Sequence, residues 1–105
     1  MKLLQLSSAS EFDNIISKGV TLVDFSAPWC APCRAQEPII EELAIQYSDK
    51  ASIGKIDIDK NRKIAKKMNV RSIPTLIIFK NGEEIERLVG LNPLKILAES
   101  LEKAI

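Results

Sequence analysis

The chain has 105 residues, with fifteen lysines and arginines against fourteen aspartates and glutamates, a formal net charge of +1, and 46% hydrophobic residues. That size and apolar content suit a single domain, residues 1–105, whose core needs no disulfides to hold it, and the balanced charge excludes the strongly basic face that a nucleic-acid partner requires. No apolar run approaches the roughly 18 residues of a membrane span, and MKLLQLSSASEF at the start falls short of a secretory leader, so the expectation is a cytoplasmic chain with no membrane partner.

In chain order, KLLQL (2–6) is a short strand candidate. Ser8 and Glu11 then have capping-box spacing before an apolar face of Phe12, Ile15 and Ile16, with Gly19 as the expected stop. VTLVDFS (20–26) is a nearly continuous, β-branched apolar run, as in a strand covered on both faces. From Pro32 to about Tyr47 the spacing of Ile39, Ile40, Leu43, Ala44 and Tyr47 is helical, with a bend expected at Pro38 because proline removes a backbone donor. SIGKIDID (52–59) alternates like a strand, and NRKIAKKM (61–68) reads as a short helix whose lysines form a solvated face. TLIIFK (75–80) and EEIERLVG (83–90) flank Asn81-Gly82, a strong signal for a type I′ hairpin. Asn92 is expected to cap a last helix, with Pro93 in its first turn and Leu94, Leu97, Ala98, Leu101 and Ile105 on one face. The order βαβαβαββα implies an α/β fold with a mixed five-stranded sheet, since crossovers through helices make parallel pairs and the hairpin adds an antiparallel one.

The chemistry lies in Trp29-Cys30-Ala31-Pro32-Cys33, which holds the only two cysteines of the sequence. Cys30 stands at the expected start of a helix, where free N–H groups and the positive end of the helix dipole favour a thiolate. A free thiol of pKa about 8.5 is about 3% ionised at pH 7, whereas one lowered to about 7 is about half ionised. Cys33, one turn further on, can reach the same sulfur and resolve a mixed disulfide. Two other readings stay open. Zinc or an iron–sulfur cluster usually takes four Cys or His ligands, so with two cysteines and no histidine a metal would have to be shared between subunits. A structural disulfide would close a very small loop, unusual in a reducing compartment.

The segments VDF (23–25), WCAPC (29–33), Pro38, KIDID (55–59), SIPT (72–75), NG (81–82) and VG (89–90) resemble the thioredoxin family in order and spacing over nearly the whole chain. The resemblance implies the fold of that family and a general protein-disulfide reductase. It would cycle between dithiol and disulfide at Cys30 and Cys33 with no cofactor or metal, as a monomer that reduces disulfides in other proteins and is itself re-reduced by a dedicated reductase. A binding module with the same fold and incidental cysteines is the alternative. The resemblance also implies site roles. Asp24, the one charge inside an apolar strand, lies beneath Cys33 and deprotonates it, and burial would raise its pKa. Lys55 stands beside that carboxylate. Ile73 precedes Pro74 through a cis bond and offers its backbone to an extended substrate segment, and Trp29, Pro32, Ile73, Pro74, Val89 and Gly90 form an apolar contact surface.

Two positions depart from the family's usual pattern. Ser26 stands where an aromatic residue is common, and Ala31 replaces the usual glycine between the cysteines. Both redox forms share most of what alanine contributes to the helix start. A redox-dependent part of about 0.5 kcal/mol would move the potential by only about 10 mV, so Ala31 is expected to act on how closely a partner approaches.

Overall fold

A computed structural model describes residues 3–105. Its elements are β1 (Leu4–Leu6), α1 (Ala9–Ile16), β2 (Val20–Ser26), α2 (Ala31–Gln46), β3 (Ser52–Asp57), α3 (Arg62–Lys67), β4 (Thr75–Lys80), β5 (Glu83–Val89) and α4 (Leu94–Ala104). The strands form one sheet in the order β1-β3-β2-β4-β5, with β1 and β2 each parallel to β3, and β4 antiparallel to both β2 and β5. The expected order, the mixed sheet and the five-strand count are all present. The expected strand position at Lys2 lies outside the described residues.

β2 sits at the centre of the sheet, and its alternation separates two cores. Val20 and Leu22 pack with Ile40 and Leu43 of α2 and with Leu97 and Leu101 of α4. Val23 and Phe25 pack on the other face with Phe12 of α1 and Ile64 of α3. Phe12 meets Phe25 and Phe79 edge-on, at ring-centroid distances of 6.0 and 5.7 Å, a geometry that aromatic quadrupoles favour. The period of two therefore places Asp24, two residues after Leu22, on the face covered by α2. In β3 the same rule puts Lys55, two residues after Ile53, on that face as well.

Local signals explain the element ends. Ser8 Oγ accepts from the Glu11 N–H at 3.1 Å, and Glu11 Oε1 accepts from the Ser7 N–H at 2.7 Å, so the box closes on Ser7 rather than on the capping residue. The first helix stops at Ile16, before Gly19. Asn81 and Gly82 have φ of 51° and 90°, the two positive values a type I′ turn needs. α2 runs through Pro38 to Gln46. At the last helix the expectation fails: the cap position belongs to Pro93, with no side-chain bond, and Asn92 Nδ2 donates instead to the Gly90 carbonyl at 2.9 Å. The helix begins at Leu94, one residue later than expected, so the cap position falls to Pro93, whose side chain has no oxygen to accept a backbone N–H.

Candidate redox site

β2 ends at Ser26, and the turn that follows delivers Cys30 to the N-cap position of α2, with Pro32 in the first helical turn. Proline fits there because the backbone N–H it lacks has no intrahelical acceptor. Cys30 Sγ accepts the backbone N–H of Cys33 at 3.3 Å and lies 3.8 Å from the carbonyl oxygen of Ile73, to which the thiol donates. The sulfur therefore occupies the place of a capping oxygen, where an N–H dipole stabilises negative charge. Both cysteines are free and buried, in a small cluster with Ala27 that Ile58 and Ile73 pack against. Ala31 is the first residue of α2, and both it and Pro32 are exposed, so the added methyl faces outward.

On the sheet face covered by α2 the interior holds a buried charge. Asp24 is 1% exposed, and among the described residues its Oδ1 is a buried oxygen without a hydrogen-bond partner. Burial pushes its pKa from 3.8 up to about 7, with Lys55 pulling it down and Glu37 pushing it up. Asp24 and Lys55 are partners across the β2–β3 pair. The expected neighbour is thus in place, but its ion pair is with another group: Lys55 Nζ lies 2.9 Å from Glu37 Oε1 on α2. Both ends of that pair reach water, with side chains 24% and 43% exposed, and a carboxylate near solvent is a cheaper partner for an ammonium than a desolvated one. A cavity of about 390 Å³ runs alongside, lined by Ser26, Cys33, Glu37, Lys55 and Asp57 among others. Ser26 is half-buried at its wall, where a bulky aromatic side chain would occupy part of that space.

Around the mouth the surface is apolar. Trp29 is 65% exposed, so it is not a core residue, and its indole N–H donates to Asp59 Oδ2 at 2.6 Å. The Ile73-Pro74 bond is cis. Val89 and Leu91 are exposed, and Ile73 and Gly90 half-buried. Pro74 departs from the expectation: it is buried, and its carbonyl accepts the Gly90 N–H at 2.7 Å. Gly90 has φ of 90°, which a glycine adopts without a Cβ clash. Of the residues expected to form the contact surface, Pro74 is thus buried, while Trp29, Pro32 and Val89 are exposed.

Three residues near the site carried no expectation. Asp59 closes the alternating run SIGKIDID but lies past the end of β3, where it holds the indole. Glu37 lies on α2 one turn after Cys33, a spacing that puts the two on neighbouring positions of one face. Gln36 falls in the buried stripe Cys33, Gln36, Ile40, Leu43, and a polar residue in such a stripe is itself a signal.

Comparison with known proteins agrees with this architecture. The thioredoxin family model matches residues 3–103. A thioredoxin of Staphylococcus saprophyticus is 52% identical over 94 residues, covering 90% of each chain, and one of Staphylococcus aureus is 47% identical over 103 residues, covering 98% of each. Among solved structures, a point-mutant thioredoxin of Halobacterium salinarum superposes with a TM-score of 0.92 at 38% identity, over 98% of this chain and 90% of that one. Plasmodium falciparum thioredoxin gives 0.89 at 36%, over 97% and 99%. Identity at this level across nine-tenths or more of both chains places the protein in the thioredoxin family.

Proposed function

We propose that Cys30 and Cys33 carry out the family's thiol–disulfide exchange as nucleophile and resolving thiol, with Asp24 taking the proton of Cys33. The chain is a thiol–disulfide oxidoreductase whose substrates are disulfides in other proteins and which a reductase restores to the dithiol. The observation that carries the assignment is Cys30 Sγ at the head of α2, accepting the Cys33 N–H.

In the first step the Cys30 thiolate attacks one sulfur of the substrate disulfide. A Cys30–substrate mixed disulfide forms, and the other substrate sulfur leaves as a thiolate that takes up a proton. Cys33 then gives its proton to ionised Asp24 and attacks the Cys30 sulfur, so a Cys30–Cys33 disulfide forms and the second substrate sulfur leaves as a thiolate, which takes up a proton as Asp24 gives its own back. Two electrons and two protons have passed to the substrate. A base with pKa about 7 is matched to this step, being about half ionised near neutral pH. Trp29, Ala31, Pro32, Ile73, Val89 and Gly90 receive the polypeptide flanking the substrate disulfide, the Ile73 backbone pairing with it as a short added strand, while Pro74 holds that backbone in place and Lys55 sets the field at Asp24. The protein works as a single domain, as a monomer and in the cytoplasm; the described residues include no helix long and apolar enough to cross a membrane.

Reduction of insulin disulfides coupled to dithiothreitol tests the roles. Cys30→Ser loses turnover, and Cys33→Ser accumulates mixed disulfides with protein substrates. A Cys30→Ser chain with full activity would overturn the assignment.

A further inference from the structure

The buried amide of Gln36 makes two complementary hydrogen bonds to one residue of a distant loop. Its Nε2 donates to the Asn92 carbonyl at 2.9 Å, and its Oε1 accepts from the Asn92 N–H at 2.8 Å. Gln36 is fully buried, and its partner lies 56 residues away in sequence. The pairing has the form of a rung between two strands, but one side of it is a side chain. Both polar ends of the amide and both polar groups of the Asn92 backbone are satisfied together, which fixes the orientation of the side chain as well as the position of the loop.

What hangs on Asn92 is the contact surface. Asn92 Nδ2 donates to the Gly90 carbonyl at 2.9 Å, and the Gly90 N–H donates to the Pro74 carbonyl at 2.7 Å. One residue before Pro74, the Ile73 carbonyl lies 3.8 Å from Cys30 Sγ. A continuous set of hydrogen bonds thus runs from α2 through Gln36, Asn92 and Gly90 to the Ile73-Pro74 turn and back to the thiol at the head of the same helix. Gln36 follows Cys33 by three residues, so one helical turn sets the separation between the reacting sulfurs and residues 89–92, which carry the exposed Val89 and Leu91.

We propose that Gln36 is a positioning residue for protein substrates: through Asn92 it holds residues 89–92 at a fixed distance from Cys30, so that an apolar segment flanking a substrate disulfide meets a preformed surface. The inference rests on the disulfide-reductase reading. A preformed surface lowers the ordering cost of binding an extended segment. A disulfide too small to reach Val89 and Leu91 gains nothing from it, and this difference separates the role from general packing.

The test uses Gln36→Met and Gln36→Leu, which keep the volume of the side chain and remove the amide. Insulin and hydroxyethyl disulfide are compared as substrates, with the thermal transition of each variant recorded alongside. KM for insulin is expected to rise about fivefold, the effect of losing a net hydrogen bond or so, with kcat and the hydroxyethyl disulfide rate unchanged. An unchanged KM, or equal losses on both substrates, overturns the inference while leaving the reductase reading intact. A native chain that reduces neither substrate overturns the reading itself. Amide exchange in the native chain supplies a measurement that needs no variant: the Asn92 N–H is expected to exchange at least about a hundredfold more slowly than an unstructured amide. Exchange at the unstructured rate overturns the clamp even where both variants fail to fold.

Discussion

The two sides of the Cys30–Cys33 pair are built from opposite materials. Below the thiols lie a buried carboxylate, an ion pair and a cavity, set on the sheet face that α2 covers. Above them, Trp29, Val89 and Leu91 expose apolar surface to solvent. Each side inverts the usual burial rule, by which charges stay wet and large apolar side chains stay dry. In the roles proposed above, proton handling falls to the lower side and recognition to the upper. Changes below should therefore move the pH dependence and leave substrate affinity alone, and changes above should do the reverse.

The largest effect is expected at Asp24. Its folded-state pKa is about 7, raised above 3.8 by burial, so the stability it contributes is fully present below about pH 3.8 and is lost as pH rises to about 7. Asp24→Asn keeps the shape and never ionises. Its stability should match that of the native chain near pH 4 and exceed it by on the order of 4 kcal/mol above pH 8, the free-energy equivalent of about three pKa units. Denaturant unfolding across that range measures the difference. The same substitution should slow resolution of the mixed disulfide and erase an inflection near pH 7 in the exchange rate. Parallel stability curves for the two chains would remove Asp24 from the lower side of the comparison.

A smaller effect is expected on the upper side. Trp29 presents a large apolar face, and Asp59 holds its indole N–H, so little side-chain freedom is left to lose on binding. Trp29→Ala should raise KM for insulin about tenfold, as for an aromatic anchor at the centre of an interface, without shifting the pH profile. A displaced pH profile would show that recognition and proton handling are not separated as the two surfaces suggest.

The fold was legible because each element carries its own local signal. The hydrophobic period changes from two to 3.6 and back, and Asn81-Gly82 marks the hairpin. Asp24 was legible for a similar reason, as one charge in an apolar run whose parity fixes its face. What stayed hidden depends on partners that no local pattern names. The Lys55 ammonium chose between a buried carboxylate on the next strand and a half-exposed one on a helix, and that choice turns on desolvation, which appears only once α2 lies over the sheet. Gln36 bonds to a backbone 56 residues away, and any residue at position 92 except proline presents the same two groups. Asn92 has the right residue type for a helix cap, but the helix starts one residue later and the cap position falls to Pro93, a boundary shift that no local pattern signals.

The choice made by Lys55 leads to the smallest of these effects, and to one whose sign is decided in advance. Glu37 acts on Asp24 in two ways: its negative charge pushes the carboxyl pKa up, and its ion pair holds the Lys55 ammonium toward solvent. Glu37→Gln removes the charge and frees Lys55 to turn toward Asp24. Both changes favour ionised Asp24, so the inflection in the exchange rate should move to lower pH, by up to about one unit. Stability should change little from loss of the pair itself, which is partly exposed and worth about 1 kcal/mol or less. The pH profile of mixed-disulfide resolution in Glu37→Gln reads the shift directly. Movement to higher pH would mean that Lys55 shields Asp24 better when paired with Glu37 than when free, and the ion pair would then be a support of the buried charge instead of a competitor for it.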